Sequence, residues 1–185
     1  MRRASFVGSL GMTAAALVSA GRVAYASGAR SGAWCKPLTP FARDHAFDFS
    51  LELMDGGVFT VSEHLGKPVW LSFFTTWCPP CNEEAGDIVR LAQKYGDAAV
   101  IIAVDEMEKP AKVRAFAERH AFTLPIAMDT TGSVFDALGF KSYPTHLFLA
   151  PSGEVSCLSV GDLTPEQMDN ELAVALARPA RNVRS

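Results

Sequence analysis

Two cysteines two residues apart, Cys78 and Cys81, stand directly after the apolar run Val69-Trp70-Leu71-Ser72-Phe73-Phe74 and before a helical pattern. The run has no alternation, as a central strand buried on both faces would. A strand turning into a helix there brings the two sulfurs within bonding reach. Pro79 is expected as the first helical residue, because its fixed φ suits the start of a helix and its missing amide has no intrahelical partner there. Cys78 then lies at the positive end of the helix dipole, which lowers a thiol pKa from its free value of about 8.5. Cys78 is therefore the expected nucleophile and Cys81, one turn in, the expected resolving partner. Pro79 and Pro80 also remove donors near the Cys78 sulfur, and Glu83 and Glu84, expected in the first turn, add negative charge. A thiolate held less firmly means a lower reduction potential, so the motif points to a reductant rather than an oxidant. A lone C-x-x-C is also half of a zinc site, but no second C-x-x-C or C-x-x-H follows, and Cys35 and Cys157 are isolated. No metal ligands are assigned.

The chain has 185 residues, 49% of them hydrophobic, enough for one domain with a sizeable core. Its start differs from the rest. Met1-Arg2-Arg3 precedes a small-residue apolar stretch and then Val23-Ala24-Tyr25-Ala26, an Ala-x-Ala ending that reads as a signal-peptidase site. Residues 1–26 are expected to be a signal peptide, with an uncleaved amino-terminal anchor, and so a membrane tether, as the alternative. The paired arginines also fit a twin-arginine signal, and the export route stays open. Removing these residues takes three arginines from 17 basic residues, leaving 14 against 20 acidic ones, a net charge of about −6. Such a surface argues against nucleic acid as a partner.

An exported chain folds in an oxidising space, and this changes how Cys35 and Cys157 read. They are expected to form a structural disulfide, a constraint on the unfolded chain worth at most roughly 4–5 kcal/mol. The alternative is two unpaired thiols, one of them buried as a small hydrophobe.

Residues 27–45 read as an irregular arm, 46–178 as the folded domain and 179–185 as a basic, solvated tail, Arg181 and Arg184, with Arg178 at the domain's end, being spaced charges without aromatics. Phe47 to Leu53 alternates apolar and polar and, with Asp55-Gly56-Gly57 and Val58 to Val61, makes a hairpin. A short helical turn is expected over Ser62 to Leu65. After the cysteines, Ala85, Ile88, Val89, Ala92 and Tyr95 mark one helical face that Gly96 ends, and Ala98 to Val104 is another buried strand. The two strands and the helix form a βαβ unit, hence parallel with a right-handed crossover. A helix from Pro110 has the inner face Val113, Phe116 and Ala117, continued by His120, read as a partly buried histidine rather than a ligand. Leu124 to Met128 reads as a short strand and Ser133 to Leu138 as a short helix. A strand after Tyr143-Pro144-Thr145 turns at Pro151-Ser152-Gly153 into Val155 to Val160, and Thr164-Pro165-Glu166-Gln167 caps a last helix to about Ala177.

This order of elements and these motifs resemble the thioredoxin-like fold, and more closely the TlpA/ResA-type thiol-disulfide oxidoreductases, over roughly Phe47 to Leu176. The resemblance implies an α/β fold: a central mixed sheet flanked by helices, with an N-terminal β-hairpin and a central αβ insertion. It also implies a cis Pro144 beside the cysteines, with Trp77, Tyr143, Pro144 and Thr145 on the substrate-binding edge, where a partner strand can pair. Glu84 matches a family glutamate that tunes cysteine ionisation, and as a like charge it would raise the thiol pKa. Several positions depart from the family. Ser72 replaces a buried aspartate or asparagine, and a hydroxyl cannot carry a proton charge at neutral pH. Gly86 replaces a helix-kinking proline, Ser142 a glycine, and His146 a threonine. For His146, a polar strand residue with no special role is the plainer reading.

The function expected is that of an exported, periplasmic enzyme that exchanges disulfides with partner proteins and needs no bound cofactor. Cys78 attacks, the partner binds along Tyr143-Pro144, and Cys81 resolves the mixed disulfide. To turn over as a reductant outside the cytosol it must be re-reduced, which implies a membrane thiol-transfer protein as a second partner. The resemblance implies targets among the haem-binding cysteines of apocytochromes c or the cysteines of copper-site assembly proteins. Two alternatives remain: a Cu(I)-binding metallochaperone-like module using Cys78 and Cys81, and a peroxidase of related fold.

Overall fold

A computed structural model describes residues 31–36 and 48–179. The signal-peptide segment 1–26, most of the arm, Phe47 and the tail residues 180–185 lie outside the described residues. The alternating segment folds into β1 (Ser50–Leu53), which pairs antiparallel with β2 (Val58–Thr60), Leu51 facing Phe59. Gly56 and Gly57 close this hairpin at φ +98° and +88°, a conformation residues with a Cβ rarely adopt. A 3-10 turn, Val61–His64, leads to β3 (Val69–Phe74), every residue of which is buried. Helix α1 (Pro79–Tyr95) follows without a break at Gly86, and β4 (Val100–Glu106) returns parallel to β3.

The insertion is α2 (Pro110–Arg119) and β5 (Ile126–Asp129), the latter parallel to β4 and antiparallel to β1. After α3 (Ser133–Ala137), β6 (Thr145–Leu149) pairs antiparallel with β3 on its other side, and β7 (Val155–Val160) forms the far edge. The sheet of seven strands runs in the order β2-β1-β5-β4-β3-β6-β7. Helix α4 (Pro165–Ala177) opens on a complete capping box, in which Thr164 Oγ1 accepts from the Gln167 amide and Gln167 Oε1 from the Thr164 amide.

Two cores result, one on each face of the sheet. Trp70, Phe74, Ile88, Phe116 and Leu172 belong to the face covered by α1, α2 and α4, together with both cysteines of the motif. Leu71, Phe73, Val104 and Leu147 pack on the other face with Phe135 of α3. At about 25 cal/mol per Å2 of apolar surface removed from water, each such buried side chain stabilises the fold by about 1.5–3 kcal/mol. One expectation about α1 is corrected. The first turn holds no acid, because the helix begins at Pro79 and Glu83 and Glu84 fall in the second turn. Glu84 is also buried, at 4% exposure.

Candidate active site

Cys78 is the N-cap of α1, in extended conformation, and the Cys81 amide points at its sulfur at 3.4 Å. An N-cap side chain ordinarily receives the amides of the second or third helical residue. Here the second is Pro80, which has no amide hydrogen, so the third is the donor available. The two sulfurs are joined as a disulfide, with the Cα atoms 5.3 Å apart. This is an arrangement that can open to a dithiol and close again with one turn of helix as its frame.

The loop before Cys78 is clamped from two sides. Glu108, at the entry to α2, accepts from the Thr76 amide at 2.5 Å and from its hydroxyl at 2.9 Å. Asn82 donates its side-chain amide to the carbonyls of Thr76 and Cys78, at 3.1 and 2.7 Å. His120 Nε2 lies 3.0 Å from Asn82 Oδ1. Because Asn82 spends its amide on the loop, that oxygen is an acceptor and His120 Nε2 carries the proton. Burial, and then the Arg119 charge, hold His120 below the usual histidine range, which keeps it neutral for this bond.

Beneath Glu108 lies Asp105, fully buried at the end of β4 opposite Phe74. Its pKa is pushed up from the ordinary 3.8 to about 8, first by burial and then by the Glu108 carboxylate. None of Asn82, Asp105 and Glu108 stood out in the sequence. Glu108 meets Thr76 across 32 positions and Asn82 meets His120 across 38, contacts that no local pattern marks.

The Tyr143-Pro144 peptide is cis, and Tyr143 packs against the core cluster that holds Cys78 and Cys81. Trp77, 65% exposed, meets Tyr143 edge-on with ring centroids 5.9 Å apart, and Tyr143 stacks on Phe135 at 4.7 Å. The Pro144 carbonyl accepts from Gly161, so the backbone edge narrows to the Tyr143 peptide, which makes no backbone hydrogen bond among the described residues. Thr145 departs from the expectation for it. It is fully buried, its hydroxyl donating to the Ser142 carbonyl at 2.7 Å, so it braces this turn from within and presents no side chain to a partner. Glu84 and His146 face one another in the core with His146 Nε2 and Glu84 Oε2 3.3 Å apart, and Ser72 stands opposite His146 across the sheet. Cys35 and Cys157 are bonded, their Cα atoms 5.2 Å apart. Their sulfurs and a Glu171 oxygen are the one grouping of three potential metal-ligating side chains among the described residues, and that grouping does not include Cys78 or Cys81.

The model of the AhpC/TSA family matches residues 42–157. The Thioredoxin-like protein YneN of Bacillus subtilis is 36% identical over 128 residues, covering 68% of this chain and 75% of its own. A thiol-disulfide oxidoreductase ResA, from Halalkalibacterium halodurans, is 35% identical over 131 residues, 70% of this chain and 74% of that one. The chain belongs to the AhpC/TSA family, among the ResA-type thiol-disulfide oxidoreductases. The ResA-type chain also shares its fold with solved structures. One described as a DsbE-type thiol:disulfide interchange protein of Chlorobium tepidum superposes with a TM-score of 0.67 at 26% identity, over 73% of this chain and 97% of that one. The fold is thioredoxin-like and the activity thiol-disulfide exchange.

Proposed function

We propose that this ResA-type oxidoreductase is an exported, periplasmic reductant of disulfides in partner proteins, working through Cys78 as nucleophile and Cys81 as resolving thiol. The observation that carries the reading is the N-cap of α1, where the Cys78 sulfur receives one amide, that of Cys81, while Pro79 and Pro80 offer none. A thiolate with fewer donors is less stabilised, and the disulfide form is correspondingly favoured. In the forward reaction the Cys78 thiolate attacks a partner disulfide and one partner sulfur leaves as thiolate. Cys81 then attacks Cys78, the second partner sulfur leaves, and two electrons have passed from the dithiol to the partner. A partner strand would pair with the Tyr143 peptide beside Trp77. A membrane thiol-transfer protein would restore the dithiol. Apocytochrome c or copper-site assembly proteins are the target classes that the ResA-type resemblance suggests. Export rests on residues 1–26, which carry the features of a signal peptide.

The equilibrium reduction potential of Cys78–Cys81, measured in a dithiothreitol buffer series with Cys35 and Cys157 replaced by serine, tests the direction. A value near or below about −270 mV is expected, and one near about −120 mV would overturn the reading in favour of a disulfide donor.

A further inference from the structure

Three buried side chains from three elements meet on the α1 face of the sheet. Trp70 Nε1 donates to His146 Nδ1 at 3.4 Å, and His146 Nε2 lies 3.3 Å from Glu84 Oε2. His146 is fully buried and Glu84 is 4% exposed. The strand register sets His146 directly opposite Ser72 of β3 and Ser159 of β7, so these side chains share one face, and Trp70, two residues before Ser72, shares it too. That face carries the core in which Cys81 and Ala85 of α1 are packed.

The Trp70 bond fixes the histidine tautomer. A ring nitrogen that accepts an N–H carries no proton, so the proton of the neutral ring sits on Nε2, the nitrogen facing Glu84. In the disulfide form neither Glu84 oxygen nor His146 Nε2 has a hydrogen-bond partner among the described residues. A donor and an acceptor left unmade in a buried site are costly, and these two stand within hydrogen-bonding distance, 3.3 Å apart. Glu84 follows Cys81 by three residues, on the same side of α1. It also lines a cleft of about 180 Å3 with Pro80, Glu83, Asp87 and Asp162, with both of its carboxylate oxygens buried. The titratable groups around the pair are thus Cys81 and the cleft acids Glu83, Asp87 and Asp162, since the cross-strand neighbours Trp70, Ser72 and Ser159 do not titrate.

Resolution of a mixed disulfide requires that Cys81 lose its proton. The Cys81 thiolate then bonds to the Cys78 sulfur, the bond from Cys78 to the partner breaks, and the departing partner thiolate takes up a proton. Ser72 cannot hold the Cys81 proton. We propose that His146, its tautomer fixed by Trp70, is the positioning residue that holds the Glu84 carboxylate ready to take it. This assignment rests on Cys78 and Cys81 being the exchanging pair.

The test separates the two steps by rapid mixing with a fluorescent peptide disulfide between pH 6 and 9. Formation of the mixed disulfide is followed in a Cys81→Ser background, and release of the peptide thiol with Cys81 present. His146→Ala is expected to slow release roughly ten- to hundredfold while leaving formation within about twofold. It should flatten the pH dependence of release as Glu84→Gln does. His146→Gln, whose amide can supply the lost donor, should recover most of the release rate, and the double variant His146→Ala/Glu84→Gln should be no slower than the slower single one. Unchanged release and pH profile in His146→Ala would overturn the proposal, as would equal slowing of both steps with no recovery in His146→Gln. If His146→Ala does not fold, Glu84→Gln and His146→Gln decide: unimpaired release in the first, or impaired release in the second, overturns it. Mixed-disulfide formation by Cys78→Ser would instead refute the exchanging pair itself.

Discussion

At the residue scale, Asp105 has the clearest consequence for pH dependence. The folded protein keeps its proton up to about pH 8, whereas the unfolded chain releases it near 3.8. Between these values the folded state binds one more proton, so stability falls as pH rises. Below about pH 4 and above about pH 8 the effect is flat. Asp105→Asn removes the titration and leaves an amide that can face Glu108 as the protonated acid does. The melting temperature of the variant should therefore pull ahead of the parent by about 5 °C or more between pH 5 and pH 8, with little further gain above. Parallel melting curves across that range would refute the assignment. Asp105 was hidden in the sequence because it reads as the polar end of a buried run, and nothing in that run shows that it is fully buried. Cys78 and Cys81 were legible for the opposite reason, their relation being set by three residues of helix. His146 lies between these cases. Its departure from the family's threonine was visible, but its partners Glu84 and Trp70 are 62 and 76 residues away.

The decisive element is α1. Its existence, its start at Pro79 and its end at Gly96 follow from proline, cap and periodicity, all local signals, and the structure has the same limits. Its inner face was only partly legible, since Leu91 is buried along with Glu84, an acid that no hydrophobic pattern would turn inward. The helix start also yields a prediction about potential. Pro80 is the second helical residue, whose amide would normally point at an N-cap side chain. Pro80→Ala keeps the helix and adds that donor, and a hydrogen bond to a charged group contributes about 1.5–3 kcal/mol. The reduction potential of Cys78–Cys81 should rise by roughly 30–60 mV. A potential unchanged or lowered in Pro80→Ala would mean that donor count at the N-cap does not set the redox poise.

For the whole molecule, three strand pairings followed from recognisable units, a hairpin, a βαβ crossover and a second hairpin. The pairings of β1 with β5 and of β3 with β6, and the cover on the far edge, did not. Beyond β7 the chain is covered by residues 31–36, a stretch with no periodicity. Lys36 donates its amide to the Leu158 carbonyl at 2.8 Å, and Ser31 its hydroxyl to that of Ser156 at 3.4 Å. Glu171, fully buried on α4, receives the Gly32 amide and the Trp34 indole at 3.0 and 3.1 Å. The Cys35–Cys157 bond, across 122 positions, fastens this arm to the strand it shields, and an edge so covered is blocked from pairing with another chain. In the chain-entropy model, a bond closing so long a loop restrains the unfolded chain by about 4–5 kcal/mol. Cys35→Ser should therefore lower the melting temperature by roughly 10 °C. It should also raise amide hydrogen exchange along Ser156–Ser159 more than in β3 or β4, because the edge opens before the centre of the sheet. If the melting temperature holds and the edge stays protected, the Glu171 and backbone bonds fasten the arm on their own. If it falls and exchange rises uniformly, the bond acts on the unfolded chain alone, and the arm does not guard the edge.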